Sequence, residues 1–473
     1  MTQIQRLIDQ VIDRVNVNLR EPPFDAGPYV RNLIPLNQFS RFYAFYGLTS
    51  YHPIRFKFHK SSLAGSYFLG KCSVDHSILY KSDIRGDELK VQGQTFKCCN
   101  LQIPIHEDEE IRIKDSFLIK SLVHSNSHDL ENPEEFMIRN TIAMHYANIH
   151  GAPTRGCFIG PFGTIDLTTF HNCLVGTYSY VQTGELNHHR IPDGQIWIRS
   201  TDAFNFLYRF PPEVLKRYIH VEPGSMPTGL FMEFMENRER DFEAAFYTLH
   251  TIPPIPVPLG ATLNRYAVVR GKTVLSENVL VAQRAYLEDA WLGKGSNVQE
   301  NCYIIRSRLD GYNVTAHGGK VMDAHIHPNT FVGFNAFLHG TPEFPLTVGS
   351  DCIVMPHTIV DLEEPVTVPP GHLVWGCIRN GKDLETHSIA LDELSKRSGE
   401  VRVGDMVFQG SGAMFVSAFR HRVEHILESN GAMYDGENNR GHAQKGSRIS
   451  FNIIQPYPEG DLLGLYPSME IRP

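Results

Sequence analysis

Three imidazoles lie close enough along the chain to share one site: His124, and then His145 and His150 within Met144-His145-Tyr146-Ala147-Asn148-Ile149-His150-Gly151. Two histidines five residues apart diverge on a flat strand and sit badly on one helix face. On a coiled β solenoid, where each side of the coil takes a few residues, they can face one groove. Neutral imidazole is the commonest protein ligand for zinc and related ions, and a catalytic site uses three protein ligands with one position open to water. The competing reading is that these are three of the chain's 23 histidines, serving as polar coil residues. Eight cysteines are scattered without a C-x-x-C pair and read most simply as reduced thiols in packed strands, although the adjacent Cys98-Cys99 could bind metal or oxidise.

The elements that must position such groups follow from periodicity. Ile4, Leu7, Ile8, Val11, Ile12 and Val15 form the apolar stripe of a helix over residues 1–19, against a body or a partner, and Pro22-Pro23 ends it. An aromatic-rich connector follows, and from Phe56 short apolar runs alternate with Gly, Asp, Asn and Ser. Val274, Leu280, Tyr286, Leu292, Val298 and Ile304 recur every six residues; the spacing returns in Ile326, Val332 and Leu338 and in Val348, Val354, Val360 and Val366. A period of six fits neither a helix nor a simple alternating strand, and predicts a parallel β-helix whose rungs bury one residue per face. Residues 202–250 read as helical, Ile252 to Val257 and Pro258 as a stiff linker, Leu384–Lys396 as a closing helix ended by Gly399, and the polar segment Tyr434–Ser447 as a tail without an assigned job. The expected organisation is an N-terminal helix and connector (1–55), a first β-helix (56–200), a helical insertion with a Pro-rich linker (201–260), a second, degenerate β-helix (261–383), and a closing helix with tail (384–473). The class is mainly β, two tandem hexapeptide-repeat segments with flanking helices.

Length and 42% apolar content allow a large core. A formal charge of -8 and no Lys/Arg run argue against a grip on nucleic acid or anionic membrane. The first residues lack the apolar run of a secretory signal and no window approaches 18 uninterrupted apolar residues, so a cytoplasmic protein without membrane insertion is expected.

At His145–Gly160 the string M-H-Y-A-N-I-H-G-A-P, followed by C-F-I-G-P-F-G-T-I, resembles the metal-binding segment of γ-class carbonic anhydrases and their hexapeptide-repeat relatives, the left-handed β-helix superfamily that includes trimeric acyltransferases. Ser121-Leu122-Val123-His124 resembles the V-L-H of that family, Asp83 to Glu88 its I-R-x-D motif, and Ile191 to Gly194 its closing I-P-D-G. The resemblance covers, with gaps, residues 60–200. It implies a homotrimer in which His124 and His150 of one subunit and His145 of the next hold zinc, iron or cobalt, Arg85 and Asp87 form a structural ion pair, and Glu88 transfers protons. The family's glutamine six residues before the first ligand is replaced by Leu118. In the second half, Ser296-Asn297-Val298-Gln299-Glu300 resembles the family's S-N-V-Q-D, but Ile305 stands where the ligand should follow, and His317, His325, His327 and His339 are spaced differently. Residues 371–394 resemble the family's exit from strand to helix.

Under this resemblance the chemistry is reversible hydration of carbon dioxide by metal-bound hydroxide, with Glu88 or His128 exporting the proton. The rival enzyme reading is acyl transfer from an acetyl- or acyl-coenzyme A thioester, with His317 as general base and Gly318-Gly319 letting a ligand approach. A small-molecule substrate is expected in either case. The third reading is a non-catalytic trimeric scaffold, favoured by the replacements at Leu118 and Ile305.

Overall fold

The computed structural model describes residues 1–21, 23–49, 55–98, 101–247, 252–446 and 450–472. Pro22 and Cys99, and with Cys99 the adjacent-thiol expectation, lie outside them. The chain is mainly β, its strands predominantly short and parallel, and it divides into two compact units. One comprises Met1–Ile198, Leu215–Leu230 and Arg448–Pro473, the other Arg199–Val214 and Phe231–Ser447.

The first unit is a three-sided coil. One side stacks Phe68, Ile84, Val123, Ile149, Ile165 and Val181 in register on its inner face. The second stacks Val74, Ile113, Ile138, Thr154, Phe170 and Leu186, and the third Leu79, Leu118, Ala143, Ile159, Val175 and Ile191. All of these except Thr154 join one buried cluster. Each full rung thus adds three buried side chains, about 1.5–3 kcal/mol of transfer free energy apiece before entropy is charged. From Ile149 the inner positions are Thr154, Ile159, Ile165, Phe170, Val175 and Val181, so a rung advances by steps of five, five and six. Earlier rungs are interrupted by insertions between Arg85 and Glu110 and between His124 and Glu135; the first carries the hairpin of Thr95–Cys98 with Leu101–Pro104.

The helix over residues 3–18 forms as expected, with Thr2 and Gln5 in a reciprocal capping box. Its Ile4, Leu7, Val11 and Val15 cover the outward residues Ile78, Phe117, Ile142, Phe158 and Leu174 of the third side, which explains why that side is apolar on both faces. Beyond the polar segment, the last residues of the chain have a structural job. Ser450–Ile454 pairs antiparallel with Ala44–Leu48, Met469–Ile471 pairs with Phe56–His59, and the buried Tyr466 donates its hydroxyl to the Phe42 carbonyl at 2.7 Å. These strands cover edges that the first rungs would otherwise leave open.

The second unit is a coil of the same kind with a different rung. Its inner columns are Leu275, Leu292, Leu309, Ile326 and Val348; Val281, Val298, Thr315, Val332 and Val354; and Leu287, Ile304, Val321, Leu338 and Val360. The period of six therefore needs correction. A rung here takes two steps of six and one of five. Val274, Leu280 and Tyr286 fall one place before the inner positions and face outward, while Leu292, Val298 and Ile304 face inward. On the side that carries Tyr286 both registers are apolar because helices cover its outer face: Phe231 and Phe234 lie 5.1 Å (ring centroids) from Phe337 and Tyr303, and Phe246 stacks on Tyr266 at 4.3 Å, whereas Val274 on another side stays half exposed.

Two segments differ from the helical expectation. Phe204–Arg209 is a strand paired antiparallel with Met406–Ser411, which pairs in turn with Ser398–Val403. Its buried Phe204, Phe206 and Tyr208 alternate with less buried residues, the period of two that marks a half-covered strand. Residues 384–396 hold two short helices, Gly381–Thr386 and Leu391–Ser395, separated by the strand Ser388–Ala390 that closes the coil by antiparallel pairing with His372–Val374. No described helix is long and apolar enough to cross a membrane.

Candidate functional site

In the first unit, parallel register places His124, His150 and Asp166 side by side at the ends of three neighbouring strands. Their strand neighbours Val123, Ile149 and Ile165 point into the coil, so alternation turns these three outward. The imidazoles of His124 and His150 lie 5.5 Å apart between centroids. Asp166, fully buried, takes His150 Nδ1 at 2.8 Å on one oxygen and the Tyr180 hydroxyl on the other, and that hydroxyl also lies 3.1 Å from Gln182 Oε1. In the neutral ring that donates Nδ1–H to the carboxylate, Nε2 carries the lone pair, the tautomer a metal ligand or proton acceptor needs.

The acidic and basic residues of the Asp83–Glu88 motif meet this face. Arg85 is bidentate on Asp87, with Nε at 3.1 Å from Oδ1. Burial would lower the Arg85 pKa, but the charge and hydrogen bonds of Asp87, joined by the charges of Tyr67 and Glu88, together raise it and hold the guanidinium ionised. His124 Nε2 lies 3.6 Å from Asp87 and 3.9 Å from Glu88. His128 lies on the second insertion, its backbone N–H donating to the Gly151 carbonyl at 3.2 Å, next to His150 in sequence.

The third expected ligand is elsewhere within the chain. His145 sits at the corner before the Asn148–His150 strand, 1% exposed, its carbonyl accepting from the Phe162 N–H at 2.8 Å. The structure thus assembles His124, His150, Arg85, Asp87 and Glu88 on one face, and not His145. Leu118 also needs a different explanation. It lies inside the coil between Leu79 and Ala143, so its side chain points away from the histidine face and a glutamine there would be a buried polar group among hydrocarbon.

The second unit has a cluster of its own residues at a corner of its coil. His317 Nδ1 lies 2.8 Å from a Glu300 carboxylate oxygen, with 1% and 4% of the two side chains exposed. One rung length separates the two residues, which puts both at the same corner of successive rungs. The Phe334 ring, one rung further on, lies 5.3 Å from the imidazole. Gly318 adopts φ +74°, and a Cβ there would sit 2.3 Å from Asn335 Oδ1 of the next rung. Close packing of the corner, rather than the approach of a ligand, therefore accounts for this glycine. Two residues on, Lys320 is 2% exposed, donates to the Gly318 carbonyl at 2.5 Å and has its pKa lowered to about 8 by burial. Ile305 is buried on a different side of the coil, in register with Glu288 and Met322, so it does not replace a residue of this corner. His339 bonds Asp361 at 2.8 Å, and His325 and His327 share Asp310.

Sequence reasoning missed the partners Asp166, Tyr180, Glu300 and Lys320. The signal was available in the rung length: Asp166 follows His150, and His317 follows Glu300, by one full rung of its own coil.

Residues 101–223 match the family "Hexapeptide repeat including loop", a stretch that takes in the His124–His150 face and the second insertion. No curated protein matches the chain. A crystal structure described as a "putative acetyltransferase", from Desulfovibrio desulfuricans G20, is similar at 56% identity over 100% of this chain and 99% of its own, with a TM-score of 0.95. Its likeness fits both coils to the left-handed β-helix. At that identity over essentially the whole length, this chain belongs to the same hexapeptide-repeat family.

Proposed function

We propose that the protein transfers an acyl group from a coenzyme A thioester to a hydroxyl or amine, with His317 as general base and Glu300 as the group that orients it. The observation that carries this reading is the buried 2.8 Å His317–Glu300 contact. An imidazole held by a carboxylate is the arrangement that accepts a proton from an acceptor and is stabilised as it becomes charged. His317 takes the proton, the freed oxygen or nitrogen bonds to the acyl carbon, the carbon–sulfur bond breaks, and the thiolate leaves to be protonated. The description of the similar structure as an acetyltransferase supports the same class, and the donor follows from that class. With only 1% of His317 exposed, the acceptor reaches the ring only when the corner opens.

Release of free thiol from acetyl- and longer acyl-coenzyme A, with a panel of amine and hydroxyl acceptors, tests the reading. Wild-type protein is expected to bind the thioester saturably, and His317→Ala to lose about 10²–10⁴ in rate, the usual worth of a general base. Wild type with neither saturable binding nor thiol release would remove the proposal.

A second reading, metal-dependent hydration, is favoured by the paired imidazoles of His124 and His150 and by the Asp166 carboxylate that fixes His150. The first unit supplies two ligands, His124 and His150; His145 of a neighbouring subunit in a trimer would add another. A zinc, iron or cobalt ion there would supply hydroxide near neutral pH. Hydration of carbon dioxide above the buffer rate, lost in His150→Ala, distinguishes it from acyl transfer.

A further inference from the structure

We infer that Asp310, His325 and His327 form a binding site for a divalent transition ion on the outer surface of the second unit, unrelated to the His317 corner chemistry. The geometry comes from register. Arg308 and Leu309 pair with His325 and Ile326, so Asp310 and His327 fall opposite one another just beyond the ends of adjacent strands. Leu309 and Ile326 point into the coil, which turns Arg308, Asp310, His325 and His327 outward together.

The three side chains converge on one point. His325 Nε2 lies 2.8 Å and His327 Nδ1 3.0 Å from the same Asp310 oxygen, Oδ2, and the two rings are 4.3 Å apart between centroids. One ligand atom from each residue lies within 4.8 Å of the others. The other carboxylate oxygen, Oδ1, is held at 2.6 Å by Arg308 Nε, whose guanidinium lies 3.7 Å from the Trp291 ring centroid. Arg308 therefore acts as the outer hydrogen-bond partner that aims Oδ2 at the imidazoles, the role such partners play around metal sites.

Without an ion, His325 hydrogen-bonds Oδ2 through Nε2, and His327 Nδ1 lies beside the same oxygen. With the proton of each neutral ring on its other nitrogen, two lone pairs stand beside a carboxylate oxygen, with no change in net charge on the protein. Two imidazoles and one carboxylate suit zinc, nickel or copper(II) and not the oxygen-seeking calcium or magnesium. Three protein ligands on a surface where each imidazole is 39% exposed leave the remaining positions to water.

Equilibrium dialysis of the untagged full chain against zinc sulfate, with metal analysis, tests this, using nickel and magnesium as parallel probes. The double variant His325→Ala/His327→Ala should lose one zinc equivalent per chain, whereas His150→Ala, which is no member of this cluster, should keep that equivalent. Asp310→Asn should weaken the same equivalent by about 10–100-fold. Zinc should also raise the melting temperature of wild type by more than that of the double variant, since an ion that binds only the folded state stabilises it. His325→Gln/His327→Gln, which keeps polar groups at both exposed positions, guards against misfolding as the cause of loss. Equal zinc stoichiometry and affinity in wild type and both double variants would overturn the site, as would binding of magnesium as tight as zinc.

Discussion

Lys320 offers the sharpest test of the second unit's architecture. Its strand register places it between Tyr303 and Phe337, and the rings of Phe234 and Phe231 cover those two neighbours. An ammonium in that setting loses hydration and recovers a hydrogen bond to the Gly318 carbonyl. Burial accordingly lowers its pKa from 10.5 to about 8. At about 1.4 kcal/mol per unit, the folded state carries a penalty of about 3 kcal/mol wherever both states are protonated. The sign follows from proton binding. Between about pH 8 and 10.5 the unfolded chain holds the Lys320 proton while the folded chain has released it. Stability from this group therefore rises with pH across that window and is lowest below it.

Lys320→Met keeps length and approximate volume and removes the charge. At pH 7 it should stabilise the second unit by about 2 kcal/mol, the 3 kcal/mol relieved less about 1 for the Gly318 hydrogen bond lost. Denaturant unfolding of both proteins from pH 7 to 10.5 is the assay, and the advantage of the variant should shrink steadily as pH rises. Cys302, whose thiol burial pushes up to about 12, pulls stability the other way above pH 9, but it is present in both chains and largely cancels in the difference. A variant less stable than wild type at pH 7, with a difference that ignores pH, would refute the reasoning.

Two further predictions concern the first unit. Lys90 is buried with Glu109 and donates to the Ser127 and Pro133 carbonyls at 2.6 and 2.9 Å, so Lys90→Met strands a carboxylate and two carbonyls and should cost about 3–5 kcal/mol, read as a lower melting temperature and faster proteolysis within residues 86–134. Removing residues 448–473 uncovers the backbone edges of Ala44–Leu48 and Phe56–His59 and should convert the protein to aggregates in sedimentation velocity, whereas an intact, equally stable truncated chain would show that the tail strands do not protect the coil.

Much of the fold was legible because a coil interior admits little besides aliphatic side chains, and repetition multiplies that signal. The register was legible only in part. At Val274-Leu275, Leu280-Val281 and Tyr286-Leu287 both neighbours are apolar, one facing the coil and one facing covering helices or solvent, and periodicity alone does not choose between them. The strand Phe204–Arg209 read as helix because the helical spacing from Pro211 onward was extended back over it; its own alternation of Phe204, Phe206 and Tyr208 fits the antiparallel partner Met406–Ser411, far along the chain. For the site, His124 and His150 were legible from a motif. Asp166 and Glu300 were not, because a carboxylate one rung away looks, in sequence, like any solvated acid.

The placement of the two insertions ties loop and face together. Arg85 ends the Asp83–Arg85 strand and His124 ends the Leu122–His124 strand, and these strands are neighbours on one side of the coil. The chain thus leaves the coil twice at the same corner, directly after the residues that begin the outward row of Arg85, His124, His150 and Asp166. Glu109, at the return of the first insertion, accepts from the Ser127 N–H at 2.5 Å in the second, and Lys90 bonds the carbonyls of Ser127 and Pro133. Burial raises the Glu109 pKa and lowers that of Lys90, opposing both charges, so the pair persists because each satisfies the other and the loop backbone around it. A coil alone could present the two histidines but not enclose them. Two loops pinned to one another by a buried ion pair, with Asp87 and Glu88 from one of them turned toward His124, convert an open row of side chains into a walled site. On this argument, mutations that loosen the Lys90–Glu109 clamp act on whatever chemistry the histidine face performs as well as on stability.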